Sequence, residues 1–428
     1  MKYRIEYERS HYFAPAINVA MLVNISGNPP EQELITAIKN AVNQHELLSS
    51  KIESDESGYG YYVPKSDDQV HMEIVPVKSH EDWKEIIKSQ AGTPFKLLEG
   101  DLVRFFILKA TDKTQLLIIA HHLAGDGTAM LYLVRDIMNW LNSPLQATQP
   151  NPIRLLSRRD FPGDAKLGFL LRCMIKYLNK QWIKEKKVFS IDEYEEMCKE
   201  FWKDRNTKIL VSALENNQLN NLKVKSKENG VTINSAITTA FLKAASNEAE
   251  IGIAASIRPK GFEGMGNYAS GISIKYRYDI RKNFWSNALK VQKLFSKKLS
   301  NNSKKYFLLN FLNELEPNLI DAAYFNAFMD FKSSAASKVS KMFGYKGNPK
   351  GVSISNLTKA PIPENYGGYN IESIILVPPL VPNAKRIIGV VTVGDRMTVA
   401  MQVEDGENIG NEERIFNQAV KDLNSINI

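Results

Sequence analysis

Cysteine is scarce in this chain of 428 residues, and glycine and proline are not abundant. The two cysteines, Cys173 and Cys198, exclude a disulfide-stapled design and cannot by themselves build a zinc site. With 24 glycines and 18 prolines, the chain is neither collagen-like nor of low complexity. No apolar run approaches the roughly 20 residues that cross a bilayer, and the first residues lack a secretory signal pattern. We therefore expect a globular protein in a reducing cytoplasm.

The composition is that of an ordinary globular protein, with 43% hydrophobic and 24% charged residues. At roughly 100–200 residues per domain, the length predicts two or three domains or one large two-part fold. Lysine and arginine number 55 against 47 aspartates and glutamates, which gives a net charge of +8. The charges are interspersed, so they do not indicate a nucleic-acid partner. They favour an acidic partner such as a phosphate-bearing cofactor, an acidic carrier protein or an anionic membrane surface.

Strand and helix patterns alternate in both halves of the chain, which predicts a mixed α/β fold. We place one subdomain at residues 1–165 and another at residues 207–428, joined by a connecting basic helical segment at 166–206. The two subdomains are similar in size, and no internal repeat relates them.

Histidine chemistry must originate in the first third of the chain, because all the histidines lie there. They are His11, His45, His71, His80, His121 and His122.

A pair of histidines, His121 and His122, follows a predicted hairpin of buried strands and precedes a turn that contains Gly125 and Gly127. Successive side chains of a strand point to opposite faces, so only one of the pair can enter a given cleft. A metal site built from both is therefore not expected. One imidazole at a strand end suits a general base, since its ordinary pKa is near 6.5. The alternative is two core histidines beside a glycine turn.

The segment His121-His122-Leu-Ala-Gly-Asp126-Gly127 resembles the HHxxxDG motif of a large acyltransferase superfamily. This superfamily includes chloramphenicol acetyltransferase, the condensation domains of nonribosomal peptide synthetases, alcohol O-acetyltransferases and phthiocerol-type polyketide-associated acyltransferases. Weaker similarities follow in the expected order and extend the resemblance over nearly the whole chain. They are the strand with Arg258, the Gly266-Asn267 segment, and a strand at 352–358 with Ser355 and Asn356 that would cross from the second half to the first.

The resemblance implies two chloramphenicol acetyltransferase-like subdomains in a V with a central tunnel, into which acyl donor and acceptor enter from opposite faces. It implies that His122 is the catalytic general base and that His121 is structural. Asp126 and Arg258 would form a buried ion pair that holds the loop. The Gly127 N–H, at the start of a helix, would help to stabilise the oxyanion.

The resemblance also makes three polar residues, Ser355, Asn356 and Asn267, candidates for the tunnel wall. It implies a substrate thioester, acyl-CoA or an acyl carrier protein, and no tightly bound cofactor or metal.

Acyl transfer from a thioester to a hydroxyl or amine acceptor is the expected reaction. Acyl-CoA is the simpler donor, because no carrier-protein or adenylation segment is attached. A free-standing condensation enzyme that acts on carrier-protein thioesters and a non-catalytic binding module on the same scaffold are the alternatives. No Gly-x-Ser-x-Gly elbow is present, so a serine hydrolase lacks its usual signature.

The basic amphipathic segment at 166–189 allows two interpretations. It is either a solvated helix over the core or a helix on a membrane surface that brings the tunnel mouth to a lipid or a hydrophobic alcohol.

Overall fold

Two six-stranded sheets and one three-stranded sheet organise the computed structural model, which describes residues 1–66, 69–109, 113–145, 149–246, 250–345 and 351–425. The strands are β1 (Tyr3–Arg4), β2 (Asn18–Ser26), β3 (Ser50–Ser54), β4 (Gly60–Pro64), β5 (His71–Pro76), β6 (Val103–Lys109), β7 (Thr114–His121), β8 (Thr207–Leu214), β9 (Glu250–Ser256), β10 (Ala269–Lys275), β11 (Val352–Lys359), β12 (Asn365–Tyr366), β13 (Tyr369–Val377), β14 (Arg386–Val393) and β15 (Arg396–Glu404). The helices are α1 (Arg9–Tyr12), α2 (Glu31–Gln44), α3 (Asp82–Ala91), α4 (Gly127–Asn142), α5 (Phe169–Glu185), α6 (Ile191–Trp202), α7 (Asn216–Glu228), α8 (Ile233–Ala245), α9 (Phe284–Leu299), α10 (Asn302–Lys305), α11 (Phe307–Glu314), α12 (Pro317–Phe328), α13 (Ser334–Phe343) and α14 (Ile409–Asn424).

The first six-stranded sheet has the order β12-β13-β2-β7-β6-β5. Its strand β7 is buried along its whole length, as its nearly continuous apolar sequence from Leu116 to Ala120 requires. The strand ends at His121, which pairs with Asn18 of β2. The chain then turns directly into α4, so the motif lies where a rigid buried strand meets a helix.

The second six-stranded sheet has the order β10-β9-β11-β14-β15-β8. On β9, β10 and β11, isoleucines alternate with glycine, alanine and serine. The isoleucines, including Ile253, Ile272 and Ile354, pack into the second hydrophobic core with α8, α9 and α14. Because side chains alternate along a strand, the central part of the other face carries small residues, among them Gly252, Ala254, Gly271, Ser353 and Ser355.

The crossover strand was predicted in the wrong place. Residues 352–358 belong to β11, which pairs with β9 and β14 inside the second sheet. The strand that leaves the second half is β13, which pairs antiparallel with β2 of the first sheet. Both segments alternate like strands, and this alternation does not specify the partner strand.

Packing also crosses the predicted subdomain boundaries at 165 and 206. Helices α5 and α6 contribute Trp182 and Met197 to the first core, and α11 to α13 contribute to the same core from residues 307–343. A buried ion pair fixes this arrangement, with Arg9 Nε 3.1 Å from Asp321 Oδ1 of α12. The connecting segment is therefore part of the first core, and the second subdomain does not pack as one continuous unit.

The predicted mixed α/β class with two sheet-and-helix halves is confirmed. Among the helices in the described ranges, none combines the length and apolar character needed to span a membrane.

Candidate active site

The two histidines of the motif lie in different environments. His121 is fully buried, its Nδ1 accepts the Leu123 N–H over 3.2 Å, and its ring meets Phe95 edge to face. Burial, with further contributions from His122 and Arg104, lowers the pKa of His121 to about 3. The ring is therefore a neutral part of the core. The His122 ring instead lines a cavity between the two halves.

The Asp126 side chain bonds the loop after His122 to residues of the second half of the chain. As N-cap of α4, its Oδ1 accepts the Ala129 N–H over 2.9 Å. The same oxygen accepts from Arg258 Nη2 over 2.8 Å, and Oδ2 accepts the Tyr268 N–H over 2.8 Å. The side chains of Asp126 and Arg258 are both more than nine-tenths buried. The two residues form the ion pair that the resemblance implies.

Arg258 also binds backbone oxygen. Its Nη1 donates to the Gly264 carbonyl over 2.8 Å, and its Nη2 lies 3.1 Å from the Gly266 carbonyl oxygen. Gly266 in turn forms a β-bridge with Gly125 of the motif loop. A Cβ at Gly125 would lie 2.6 Å from Ala129 Cβ of α4 and 3.2 Å from Gly266 N, so this turn requires glycine where it packs against the helix and the Gly266 loop.

Gly127 lies at the first position of α4, but it is not among the residues that line the His122 cavity. A Cβ placed there would lie 3.0 Å from Leu357 Cδ2, so the Leu357 side chain covers it. The role of the Gly127 N–H as an oxyanion donor stays a prediction.

The three candidates for the tunnel wall do not all line the same cavity in the structure. Ser355 lines the cavity, and so does Asn267. Asn356 does not: its Nδ2 lies 3.3 Å from Asn234 Oδ1, and its Oδ1 accepts the Thr358 N–H over 2.8 Å. It follows Ser355 on β11, and alternation along the strand turns it to the other face. Asn356 therefore does not line this cavity, and its place on a tunnel wall stays a prediction.

Asn267 connects His122 to a second histidine that the sequence analysis did not assign to the site. Asn267 Nδ2 lies 3.1 Å from His122 Nδ1 and 3.0 Å from His11 Nδ1. The rings of His11 and His122 are stacked, with centroids 4.6 Å apart and planes at 14°. Burial lowers the pKa of His11 well below its ordinary value, and its histidine neighbours lower it further.

A buried carboxyl group, Glu8, completes this cluster. Its Oε1 accepts the Asn267 N–H over 3.0 Å, and its Oε2 accepts from Tyr62 OH over 2.9 Å. Burial raises the pKa of Glu8 to about 7, and Asp126 contributes to this rise, although both hydrogen bonds oppose it. No spacing pattern in the sequence relates Glu8 and His11 to the distant motif, so the only available signal was their residue type.

The surroundings of His122 lower its pKa, so its ring is neutral at neutral pH. Burial lowers the pKa of His122 below its ordinary value of 6.5. The Asp126 carboxylate and the hydrogen bond from the ring to its own backbone carbonyl oppose this effect but do not outweigh it. A neutral imidazole at a cavity wall can accept a proton.

The cavity beside His122 has a volume of about 280 Å³ and takes its walls from both halves. One wall is the small-residue face of the second sheet, and the facing wall comes from α11 and the loop after β13. The small residues are Gly252, Ala254, Ala269, Gly271, Ser353 and Ser355. The larger apolar ones include Leu308, Leu309, Leu312, Pro378, Pro379 and Val381.

Histidine, cysteine, aspartate and glutamate are the side chains that could hold a metal ion in the described part of the chain. Within those ranges, no three histidine, cysteine, aspartate or glutamate side chains gather closely enough to hold an ion.

Residues 6–155 match the family model of the condensation domain. Among curated proteins, the chain is similar to the nonribosomal peptide synthetase kk1B of Curvularia clavata, with 26% identity over 131 residues. The matched segment is 30% of this chain and 1% of the synthetase, so the chain spans a very small part of that relative.

Two solved structures resemble the chain over nearly its full length. A trichothecene 15-O-acetyltransferase from Fusarium sporotrichioides gives a TM-score of 0.65 at 13% identity and covers 99% of this chain and 94% of its own. The condensation domain from the Monacolin K polyketide synthase MokA gives a TM-score of 0.62 at 10% identity, with 99% and 97% covered. At such low identity the likeness establishes the fold. Together with the family match, it confirms the predicted resemblance to the HHxxxDG superfamily.

Proposed function

We propose that this acyltransferase-like chain transfers an acyl group from a thioester to a hydroxyl or amine acceptor, with His122 as the general base. The observation that carries the proposal is the position of His122: a neutral imidazole on the wall of a cavity between the halves, on a loop held by the Asp126–Arg258 ion pair. Such a base serves acyl transfer when an acceptor reaches it and a thioester carbonyl lies beside that acceptor.

The tautomer of His122 decides which ring nitrogen can act. When Nδ1–H donates to the backbone carbonyl of His122, the lone pair of Nε2 is free to accept a proton. When Nδ1 accepts from Asn267 Nδ2 instead, the proton of the neutral ring is on Nε2. We assign the first tautomer to the reactive state, in which Asn267 Nδ2 does not donate to His122 Nδ1.

The reaction proceeds by attack of the acceptor and then by collapse of a tetrahedral intermediate. The acceptor O–H or N–H gives its proton to His122 Nε2 while the acceptor atom bonds to the thioester carbonyl carbon. The tetrahedral intermediate collapses, the C–S bond breaks, and the imidazolium returns the proton to the leaving thiolate. The products are an ester or amide and a free thiol, and His122 is neutral again.

The shape of the cavity supports an apolar substrate portion. Leucines and prolines form one wall, while the glycine, alanine and serine residues on the facing strands leave room for a chain. A volume of about 280 Å³ accommodates a short or medium aliphatic group. The hydroxyl of Ser355, on the same sheet face, is a candidate to contact the reacting carbonyl oxygen.

Acyl-CoA is the donor we propose first, and it acts as a substrate with no tightly bound cofactor. The condensation-domain match at residues 6–155 favours a second candidate, a condensation enzyme that takes its acyl group from a carrier protein. A non-catalytic binding module is the remaining alternative.

One experiment separates these three functions. The protein is incubated with acetyl-, hexanoyl- or decanoyl-CoA and a pool of alcohols and amines, and released thiol is measured with and without acceptor. The same acyl groups are then presented on a phosphopantetheinylated acyl carrier protein. Acceptor-dependent release from CoA supports the first candidate, and release only from the carrier supports the second. Saturable binding of a thioester without release from either donor would assign the binding module.

A further inference from the structure

Helix α5 has two apolar faces. One face packs into the first core through Ile175, Leu178 and Trp182. On the opposite side, Phe169 and Leu170 are 72% and 82% exposed. Tyr177 and Ile183 extend this outer face along the helix and are 53% and 65% exposed. A surface helix that only covers a core presents polar residues outward, so the second apolar face requires another explanation.

Cations lie among these exposed apolar side chains. At 100° per residue, Arg172, Lys176, Lys180 and Lys184 fall on the outer side of the helix, away from the buried face. All four side chains are exposed, and among the described residues none of them forms an ion pair. We call this mixed surface of Phe169, Leu170, Tyr177, Ile183 and the four cations the outer α5 face.

Helix α5 contacts the helix that forms one wall of the His122 cavity. Asn179 of α5 donates through Nδ2 to the Glu314 carbonyl at the end of α11, and its Oδ1 accepts the Glu316 N–H. On α11, Leu308 and Leu312 line the cavity. Helix α5 therefore packs beside the helix that forms one cavity wall, and a surface bound at the outer α5 face would be separated from that helix by α5 itself.

From this geometry we infer that the outer α5 face binds the surface of a membrane that contains anionic lipids. Aromatic and aliphatic side chains that protrude among lysines and arginines match the interface of such a membrane, where rings enter the acyl boundary and cations meet phosphates. A second copy of this chain is a poor occupant, because a twofold interface would place the same cations against one another. The inference does not depend on the acyl-transfer chemistry.

An exposed cysteine on α5 can carry a fluorescent label that reports membrane binding. Cys173 is exposed on α5 between Leu170 and Tyr177, whereas Cys198 is buried with its pKa raised to about 12. An environment-sensitive fluorophore such as acrylodan therefore labels Cys173 selectively. The labelled protein is titrated with vesicles of phosphatidylcholine alone and with vesicles that contain 30% phosphatidylglycerol. Unlabelled protein is followed in parallel by vesicle flotation.

We expect a blue shift and flotation with the anionic vesicles, and much weaker binding to phosphatidylcholine. Lys176→Gln with Lys180→Gln should weaken binding by about fivefold for each cation removed. Phe169→Ser with Leu170→Ser should abolish the blue shift. The matched control is Lys290→Gln with Lys293→Gln, which removes two exposed cations from α9, outside the outer α5 face, and should leave binding unchanged.

Three results would overturn the inference. One is absence of binding to anionic vesicles at low salt. Another is equal loss of binding in the α9 control. The third is retention of the labelled protein by an immobilised acidic carrier protein without vesicle binding, which would assign the face to a protein partner.

Discussion

The stacked rings of His11 and His122 are joined by one amide, since Asn267 Nδ2 lies within about 3 Å of the Nδ1 atom of each. Because its ring stacks on that of His122, His11 limits the orientations of the His122 ring from one side, while the Asp126 loop fixes the His122 backbone. We interpret His11 as a positioning residue that acts through His122.

His11→Ala should lower kcat about tenfold with little change in KM, because a base that loses its orientation loses rate before it loses substrate affinity. His11→Phe keeps a ring in the stack and should retain more of the rate than the alanine variant. Steady-state thiol release measures both constants. An unchanged kcat in His11→Ala would show that His11 does not position the His122 ring.

The pH dependence of kcat/KM should report the lowered pKa of His122. Because protonation removes the base, activity should fall as pH decreases, with a midpoint below 6.5. Glu8 titrates nearby at about 7, so the profile of Glu8→Gln is the control. A limb below 6.5 that persists both in this variant and in His11→Phe belongs to His122. A midpoint at or above 6.5 in both proteins would contradict the assignment.

Glu8 should also make folding stability depend on pH. Its folded-state pKa of about 7 lies above the ordinary value of 4.5, so the folded protein loses stability as pH rises through this interval. Glu8→Gln keeps an acceptor for the Asn267 N–H and removes the charge. Urea unfolding should show it roughly 3 kcal/mol more stable than the natural protein at pH 8 and equal to it near pH 4. Equal stability at both pH values would show that Glu8 is not protonated in the folded state.

Breaking the buried Asp126–Arg258 ion pair should lower both the free energy of unfolding and the rate of acyl transfer. Removing one partner of a buried pair leaves the other charge uncompensated, so Arg258→Ala should lower the free energy of unfolding by about 3–5 kcal/mol. The matched control is Arg281→Ala, which breaks the Asp279 pair, where the Arg281 side chain is 87% exposed. It should change stability by less than about 1 kcal/mol. Equal effects of the two variants would show that burial of the pair has no consequence.

The small-residue face of β9 should set the chain length that the cavity accepts. Ala254→Leu adds three carbon atoms to the cavity wall and should reduce activity with decanoyl groups by at least tenfold. Activity with acetyl groups, which need less room, serves as the internal control. Parallel losses for both chain lengths would indicate a damaged fold instead of a filled cavity.

Residues of the site could be predicted from the sequence where the signal lies within one short segment. The position of His122 followed from one motif at the end of a buried strand, and the partnership of Asp126 with Arg258 came with the resemblance that this motif supported. The contacts of His11 and Glu8 could not be found in this way, because they depend on how the start of the chain folds back onto the motif. Ser355 lines the His122 cavity and Asn356 does not, and the sequence could not separate them because the strand phase at 352–358 was not fixed and one residue decides which face a side chain occupies.

Long-range pairing accounts for the errors in the fold. Segments 352–358 and 369–377 both have strand patterns, but only the structure shows that β13 joins β2. The burial of Arg9 against Asp321 likewise joins α1 to α12, which the sequence analysis had placed in separate subdomains. Such contacts arise from tertiary packing and leave no periodic signal in either segment.

The general-base role of His122 is tested most directly by His122→Ala, with thiol release from the best thioester and acceptor measured beside urea unfolding. Loss of a positioned base should lower acceptor-dependent release by about 100- to 10,000-fold while the free energy of unfolding stays within about 1 kcal/mol of the natural protein. A folded His122→Ala protein that releases thiol at the natural rate would contradict the account.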